Sequence, residues 1–337
     1  AFLDDPEWLS KMTPFALTQL QWIQSLQNNP LALSQVPDWF VKEAARWLAH
    51  VAHKVPTSLA VHQADLAVDV TTQLLTTGSG RDQGSSFSPL ILTELIHVAS
   101  AFVDAGARRA KRKQGLRRRR GFGAQSDTTK QDDEDEKEED IDEPSIYMTF
   151  DQNDLGVAVF TNRRVCKELC PTLFKTFRAL DHIVGLNVDA EANFDKFSVK
   201  VEIARLVIRL WRHPNGECRN SIVAIEAEEI CKFASSVTAA IGYLLDDACQ
   251  RYSDVIKLSR RDQNTWSPRD RSFHDKQARG AANCFLCGRT LLLLLIRLSQ
   301  VDSIAQAIGS GSSAKDLASM LVHFLDILTD PDGGANF

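Results

Sequence analysis

Cys284-x-x-Cys287 is the pair whose type and spacing come closest to a chemical site. Two thiolates at that spacing can share a metal ion, but zinc needs four ligands and a second pair at matching spacing is missing. Cys166 and Cys170 stand at helical spacing, as packing cysteines do, and His274 is a further residue that could contribute a ligand. The pair also lacks the βαβ context of a redox motif. Asp246-Asp247 could form an acid pair, yet neighbours on a helix point about 100° apart, so a capping or salt-bridge role is expected. The eight histidines are scattered, and His50 and His53 have no Glu-x-x-His partner nearby. Gly78-Ser79-Gly80 lacks the following lysine and preceding strand of a phosphate loop. No nucleophile stands beside a base in motif context. The sequence therefore assigns no catalytic, cofactor-binding or metal-ligating residue, and no cofactor.

What would position any such groups is a set of apolar helices. The central one is Asn193 to Pro214. Phe194, Phe197, Val201, Ala204, Ile208 and Trp211 recur at spacings of three and four, which places them on one helical face. Ile203, Leu206, Val207 and Leu210 make a second apolar face, leaving Lys200, Glu202, Arg205 and Arg209 for water. A helix with two apolar faces is sandwiched between other helices. His213-Pro214-Asn215-Gly216 stops it.

Upstream, Pro6 to Gln27 reads as a helix anchored by Trp8, Phe15, Trp22 and Leu26, with a kink or break at Pro14. Asn28-Asn29-Pro30 is a turn. Pro37 to His53 carries Phe40, Val41, Ala44, Trp47, Leu48 and Val51, and Ser58 to Thr76 is a third helix. A polar loop, Gly78 to Ser86, leads to a fourth helix with Ser88 as N-cap and Pro89 at its first position. Leu92, Leu95, Ile96, Ala99 and Val103 line its buried side.

The next stretch is charged, with basic residues from Arg108 to Arg120 and acidic ones from Asp127 to Glu143. Neither block has an apolar face, so the expectation is a disordered insertion. Lys111-Arg112-Lys113 and Arg117 to Arg120 have the composition of a nuclear-import signal. Nucleic acid is not an expected partner, because the acidic block competes and no aromatics are interleaved for stacking.

Ile146 to Phe160 is ambiguous between a short strand and a helix entry. Asn162 to Gly185 is helical, with Val165, Leu169, Leu173, Phe177 and Leu180 inward and a break at Pro171. Ser221 to Ser259 reads as a short helix and a long one, seamed by Ile230, Phe233, Val237, Ile241, Leu244, Leu245, Ala248, Tyr252 and Val255. Ser267-Pro268-Arg269-Asp270 is a capping box. Ala281 to Leu298 reads as another apolar helix. A last one is capped by Ser312 or Ser313 with Asp316 and carries Leu317, Met320, Leu321, Phe324 and Leu328. Trp22, Trp39, Trp47 and Trp211 read as filler between helices.

The fold class that follows is all-α, an irregular α-solenoid of the armadillo or HEAT kind, without a strict repeat. Its expected parts are an N-terminal helical region 1–107, the insertion 108–145 and a central helical region 146–337. The chain has 337 residues, a net charge of −5 and seven cysteines. The odd, scattered cysteine count points to reduced thiols. The run Leu291 to Ile296, bracketed by Arg289 and Arg297, is far below a membrane span, and no signal peptide opens the sequence. The start without Met and the end on Asp332-Gly333-Gly334-Ala335 suggest a fragment.

FDKF, an apolar helix and then LWRHP, at Phe194 to Pro214, resemble the core of ubiquitin chain-elongation factors, the U-box ubiquitin ligases. Tyr243-Leu244-Leu245-Asp246-Asp247-Ala248 is similar to that core's YLLDE helix. Leu317-Ala318-Ser319-Met320-Leu321 with Phe324-Leu325 is similar to a later one. Phe2 to Trp8 and Leu169-Cys170-Pro171-Thr172-Leu173 fall in the matching order. The resemblance implies a helical stack in a U-box ubiquitin-protein ligase that lengthens ubiquitin chains for protein degradation, in cytoplasm and nucleus. Its implied partners are an AAA segregase ATPase, ubiquitinated substrates and, through the U-box, a ubiquitin-conjugating enzyme. No covalent intermediate and so no catalytic cysteine are implied. The chain departs from the family pattern at Thr329-Asp330-Pro331, where a Gly-Pro is expected, and the later core helices and the U-box are not in these residues. The core alone is thus expected to bind and position. The alternative is an armadillo-type transport or assembly scaffold with no tie to ubiquitin.

Overall fold

The computed structural model describes residues 6–26, 35–54, 61–78, 87–103, 163–182, 190–212, 216–261 and 263–309, with isolated positions at 29, 32, 315, 318 and 319. The charged stretch 108–145, the segment Ile146 to Phe160, most of the Gly78 to Ser86 loop and the inner side of the helix expected after Ser312 lie outside them. The chain is all-α: the described residues contain no strand. In order the helices are α1 Pro6–Ser25, α2 Asp38–Lys54, α3 Val61–Gly78, α4 Pro89–Val103, α5 Arg163–His182, α6 Ala190–Trp211, α7 Gly216–Val223, α8 Ala227–Ser259, α9 Pro268–Leu298 and α10 Asp302–Gly309.

Side-chain pairs give the packing directions. Trp8 meets Trp47 and Trp22 meets Phe40, so α1 and α2 run antiparallel. Arg178 reaches Glu229 while Phe174 stacks on Phe233, so α5 and α8 are antiparallel too. Ser259 lies beside His274 and Asp247 beside Cys284, which makes α8 and α9 a long hairpin. Thr76 on α3 pairs with Thr172 on α5, tying the N-terminal helices to the rest. One apolar core runs from Ala16 to Ile304 through all of these elements.

The sandwiched placement of α6 is as its two apolar faces predict. Val201, Ile203, Ala204, Leu206, Val207, Leu210 and Trp211 are buried, with Phe197 and Ile208 packed against the core. Lys200 is a correction: it is buried, 4% exposed, with its Nζ 4.8 Å from the centre of the Phe177 ring and 5.7 Å from that of Phe197. A lysine stem is four methylenes long and its ammonium is attracted to ring faces, so helical position alone does not decide its exposure.

Neither proline breaks its helix. α1 runs through Pro14 and α5 through Pro171. Pro14 is exposed and Pro171 half-buried. Each proline leaves the carbonyl four residues back without its helical partner. The anchors of α1 also differ from expectation. Its buried stripe is Thr13, Ala16, Leu17, Leu20 and Ile23. Phe15, Trp22 and Trp39 are 57%, 51% and 64% exposed. That stripe packs against α2 and α3, and the bulky rings of Phe15 and Trp22, seven apart, are left at the rim.

α9 is one helix from the capping box to Leu298. Ser267 Oγ accepts from the Asp270 N–H, and the Asp270 carboxylate accepts from the Ser267 N–H at 2.9 Å. Ser88, also placed as an N-cap, has a buried hydroxyl without a partner among the described residues. By length and composition α9 could cross a membrane. Its Leu291, Leu294, Leu295 and Leu298 are buried in the common core instead. Toward the far end of the α8–α9 hairpin, Tyr252, Leu258 and Ala281 are buried outside that core. α10 was not anticipated; among its described residues Ile304 is buried in the common core.

Candidate functional site

The expected cysteine pair sits on α9 and diverges. Cys284 turns to α8, where its thiol donates to Asp247 Oδ2 at 3.3 Å. Arg251, one turn on from Asp247, donates from Nε to the same oxygen at 2.8 Å and from Nη1 to Gln277 Oε1 at 3.1 Å. Gly280 leaves room for it: a Cβ there would stand 2.8 Å from Arg251 Nη1, the tip of a flexible side chain. Cys287 lies near Glu202 and Arg205 of α6.

Burial, reinforced by the Asp247 carboxylate, pushes the Cys284 thiol up to about 12. Burial raises Cys287 and Cys249 as well. A nucleophile or metal ligand must be thiolate, so these groups are held in the unreactive form. Asp247 takes the expected salt-bridge role, and Asp246 points away to solvent. The arrangement locks α8 to α9 rather than doing chemistry.

The other sequence candidates do not converge. His274 lies beside Ser259, Asp275 and Trp266 at the end of the hairpin, away from Cys284. Cys170 is a buried core residue of α5. Gly78 ends α3. The side chains of Cys166 and His53 lie outside the described residues. Among the described residues no group of three or more His, Cys, Asp or Glu side chains is arranged to hold a metal ion.

A polar ridge across α2, α4 and α6 was missed. Arg46 Nε donates to Glu94 Oε1 at 2.7 Å, and Glu94 Oε2 lies 3.5 Å from His97 Nδ1. His97 Nε2 faces Glu202 Oε2 at 3.7 Å, and Glu202 Oε1 is held by Arg205. The Glu202 carboxylate facing it lifts His97 above its ordinary value. Burial opposes ionisation of Glu202, but His97 and Arg205 together bring it below the carboxylate range. The Glu94-x-x-His97 spacing was the available signal, since it puts both residues on one helix face.

A family model for the ubiquitin elongating factor core matches residues 143–335, more than half of the chain. No curated protein and no solved structure gives a match. The matched stretch takes in α5 to α10, hence the Cys284–Asp247 lock, the α6 sandwich and the whole long hairpin. Of the segments that suggested the resemblance, Leu210-Trp211 end α6 and Tyr243 to Asp247 lie within α8, both inside the matched stretch. On that match, the chain belongs to the ubiquitin elongating factor core family.

Proposed function

We propose that this chain is the scaffold of a ubiquitin-protein ligase that lengthens ubiquitin chains in protein degradation. It holds ubiquitinated substrate and an AAA segregase ATPase along an irregular α-solenoid, while a U-box brings the conjugating enzyme. The observation that carries this reading is the family match over residues 143–335. The state of the cysteines supports it: a ligase that only positions its partners needs no thiolate, and Cys284 is held as a neutral thiol. Proximity of donor and acceptor then supplies much of the rate. The transport-scaffold alternative has no comparable support.

The test is a gel-based chain-extension assay with activating enzyme, conjugating enzyme and ubiquitin. Three proteins are compared: the chain alone, the chain joined to a U-box, and the joined form with all seven cysteines replaced by serine or alanine. Growth is expected from the second and third and not from the first. Robust growth from the chain alone, or a thioester-linked ubiquitin on Cys284 or Cys287, overturns the reading. Residence in nucleus as well as cytoplasm is part of the proposal, resting on Lys111-Arg112-Lys113 and Arg117 to Arg120. Alanine at those seven positions is expected to abolish nuclear accumulation of a fused fluorescent reporter.

A further inference from the structure

His97 stands between two carboxylates that belong to different helices, Glu94 on its own α4 and Glu202 on α6. Each carboxylate gives His97 one oxygen and an arginine the other: Arg46 of α2 holds Glu94, and Arg205 of α6 holds Glu202. Glu43 of α2 adds a third carboxylate, 3.5 Å from Arg46. Cys287 of α9 lies near Glu202 and Arg205, and burial keeps its thiol neutral. Three carboxylates against two guanidiniums leave one negative charge on the ridge. Only a protonated His97 cancels it within this set.

The geometry of the ring makes the same demand. Both imidazole nitrogens face carboxylate oxygens, which can only accept hydrogen bonds. The imidazolium turns an N–H toward each, at ion-pair distances of 3.5 and 3.7 Å. The neutral ring has one N–H, so whichever tautomer forms turns a lone pair toward a carboxylate oxygen.

We infer that His97 is a protonation-dependent clip between α4 and α6, closed as the imidazolium and loosened as the neutral ring. α6 lies inside the family-matched stretch and α4 before it, so the clip couples the N-terminal helices to the ubiquitin elongating factor core. The elevated affinity of His97 for its proton fixes the direction. Its contribution is fully present below the unfolded-state value of about 6.5 and is lost as pH rises through the higher folded value. Glu202, held low, sets the acid limit: its contribution is lost as pH falls through its folded value. The window of a closed clip is therefore mildly acidic to near neutral.

The test uses the whole chain. Imidazole NMR of the unaltered protein should show His97 titrating above about 6.5. Thermal midpoints of wild type and His97→Gln are compared at about pH 6 and about pH 8.5. His97 is 42% exposed, so substitution leaves the fold intact and the effect is small. A wild-type advantage of about 1–2 °C is expected at the lower pH and none at the higher. His97→Lys, a cation at both pH values, is expected to keep the advantage at both. Amide exchange in α4, corrected for its intrinsic pH dependence, should quicken about two- to fivefold at the higher pH in wild type and not in His97→Gln. A His97 titrating at or below about 6.5, or an advantage equal at both pH values, overturns the clip.

Discussion

The Phe174 ring of α5 lies flat on the Phe233 ring of α8, centroids 3.9 Å apart and planes 4° from parallel. Phe177, one turn on, meets the same ring edge-on at 5.1 Å. All three are fully buried. Phe233 is the knob of α8, gripped by two rings whose backbone cannot collapse onto the space it fills. Phe233→Ala is expected to cost about 3–5 kcal/mol, and Phe233→Leu less than about 1.5 kcal/mol. Urea unfolding measures both, and an unmoved midpoint for the alanine variant would remove α5 and α8 from a common core.

Two tryptophans that look alike in the sequence should behave differently. Trp211 is buried, donates from Nε1 to Gln300 Oε1 at 3.3 Å and carries the Arg219 guanidinium 5.0 Å above its ring. Trp39 touches Phe40 edge-on and otherwise faces solvent. Trp211→Ala is expected to cost about 3–5 kcal/mol and Trp39→Ala less than about 1 kcal/mol. Equal losses in chemical denaturation would contradict the packing of α1 and α2.

Cys284 should resist alkylation. A thiol near 12 is thiolate in so small a fraction at pH 8 that iodoacetamide should react at least about a hundredfold more slowly than with an ordinary cysteine. Mass spectrometry after timed labelling reads this out, with unfolded chain as the control. Asp247→Asn removes the charge beside the sulfur and is expected to speed the reaction. Prompt native-state labelling would mean that the α8–α9 lock is open.

Lys200 offers a sign test. Its ammonium sits over the faces of Phe177 and Phe197, where π density favours a cation. Lys200→Glu puts an anion into the same buried place and is expected to cost about 3–5 kcal/mol, while Lys200→Met, keeping the stem, should cost markedly less. Similar unfolding midpoints for the two variants would show that the rings do not select charge there.

Helix existence was legible wherever apolar periodicity was long. The predicted seam of α8 is buried from Ile230 to Tyr252, with its last member, Val255, half-buried, and the Ser267 capping box is made as its spacing predicts. What misled was the weight given to single residues. Proline reads as an interruption because it loses a hydrogen bond, but at Pro14 and Pro171 the buried residues on either side hold the helix together. Large aromatics read as core because they carry the most apolar area, yet Phe15, Trp22 and Trp39 stand at the rim while Ala16, Leu17, Leu20 and Ile23 fill the core. The site was legible in part. Asp247 as a salt-bridge residue follows from its spacing to Arg251, whereas the meeting of His97 with Glu202 joins residues more than a hundred positions apart, which no local pattern encodes.

The α8–α9 hairpin acts mechanically as a beam anchored at one end. Phe233, Leu291 and their neighbours clamp its base in the common core. The stretch from Pro268 back to Gly280, about 20 Å at the helical rise per residue, lies beyond that core among the described residues. At the root of that stretch lies the joint where Arg251 rests in the notch above Gly280 and ties Asp247 to Gln277. Load applied near Trp266 or His274 reaches this joint with the full lever arm. A tilt of about 5° at the root moves the tip by nearly 2 Å on that length. The hydrogen bonds of Arg251 to Asp247 and Gln277 therefore bear on how steadily the far end of the hairpin is held.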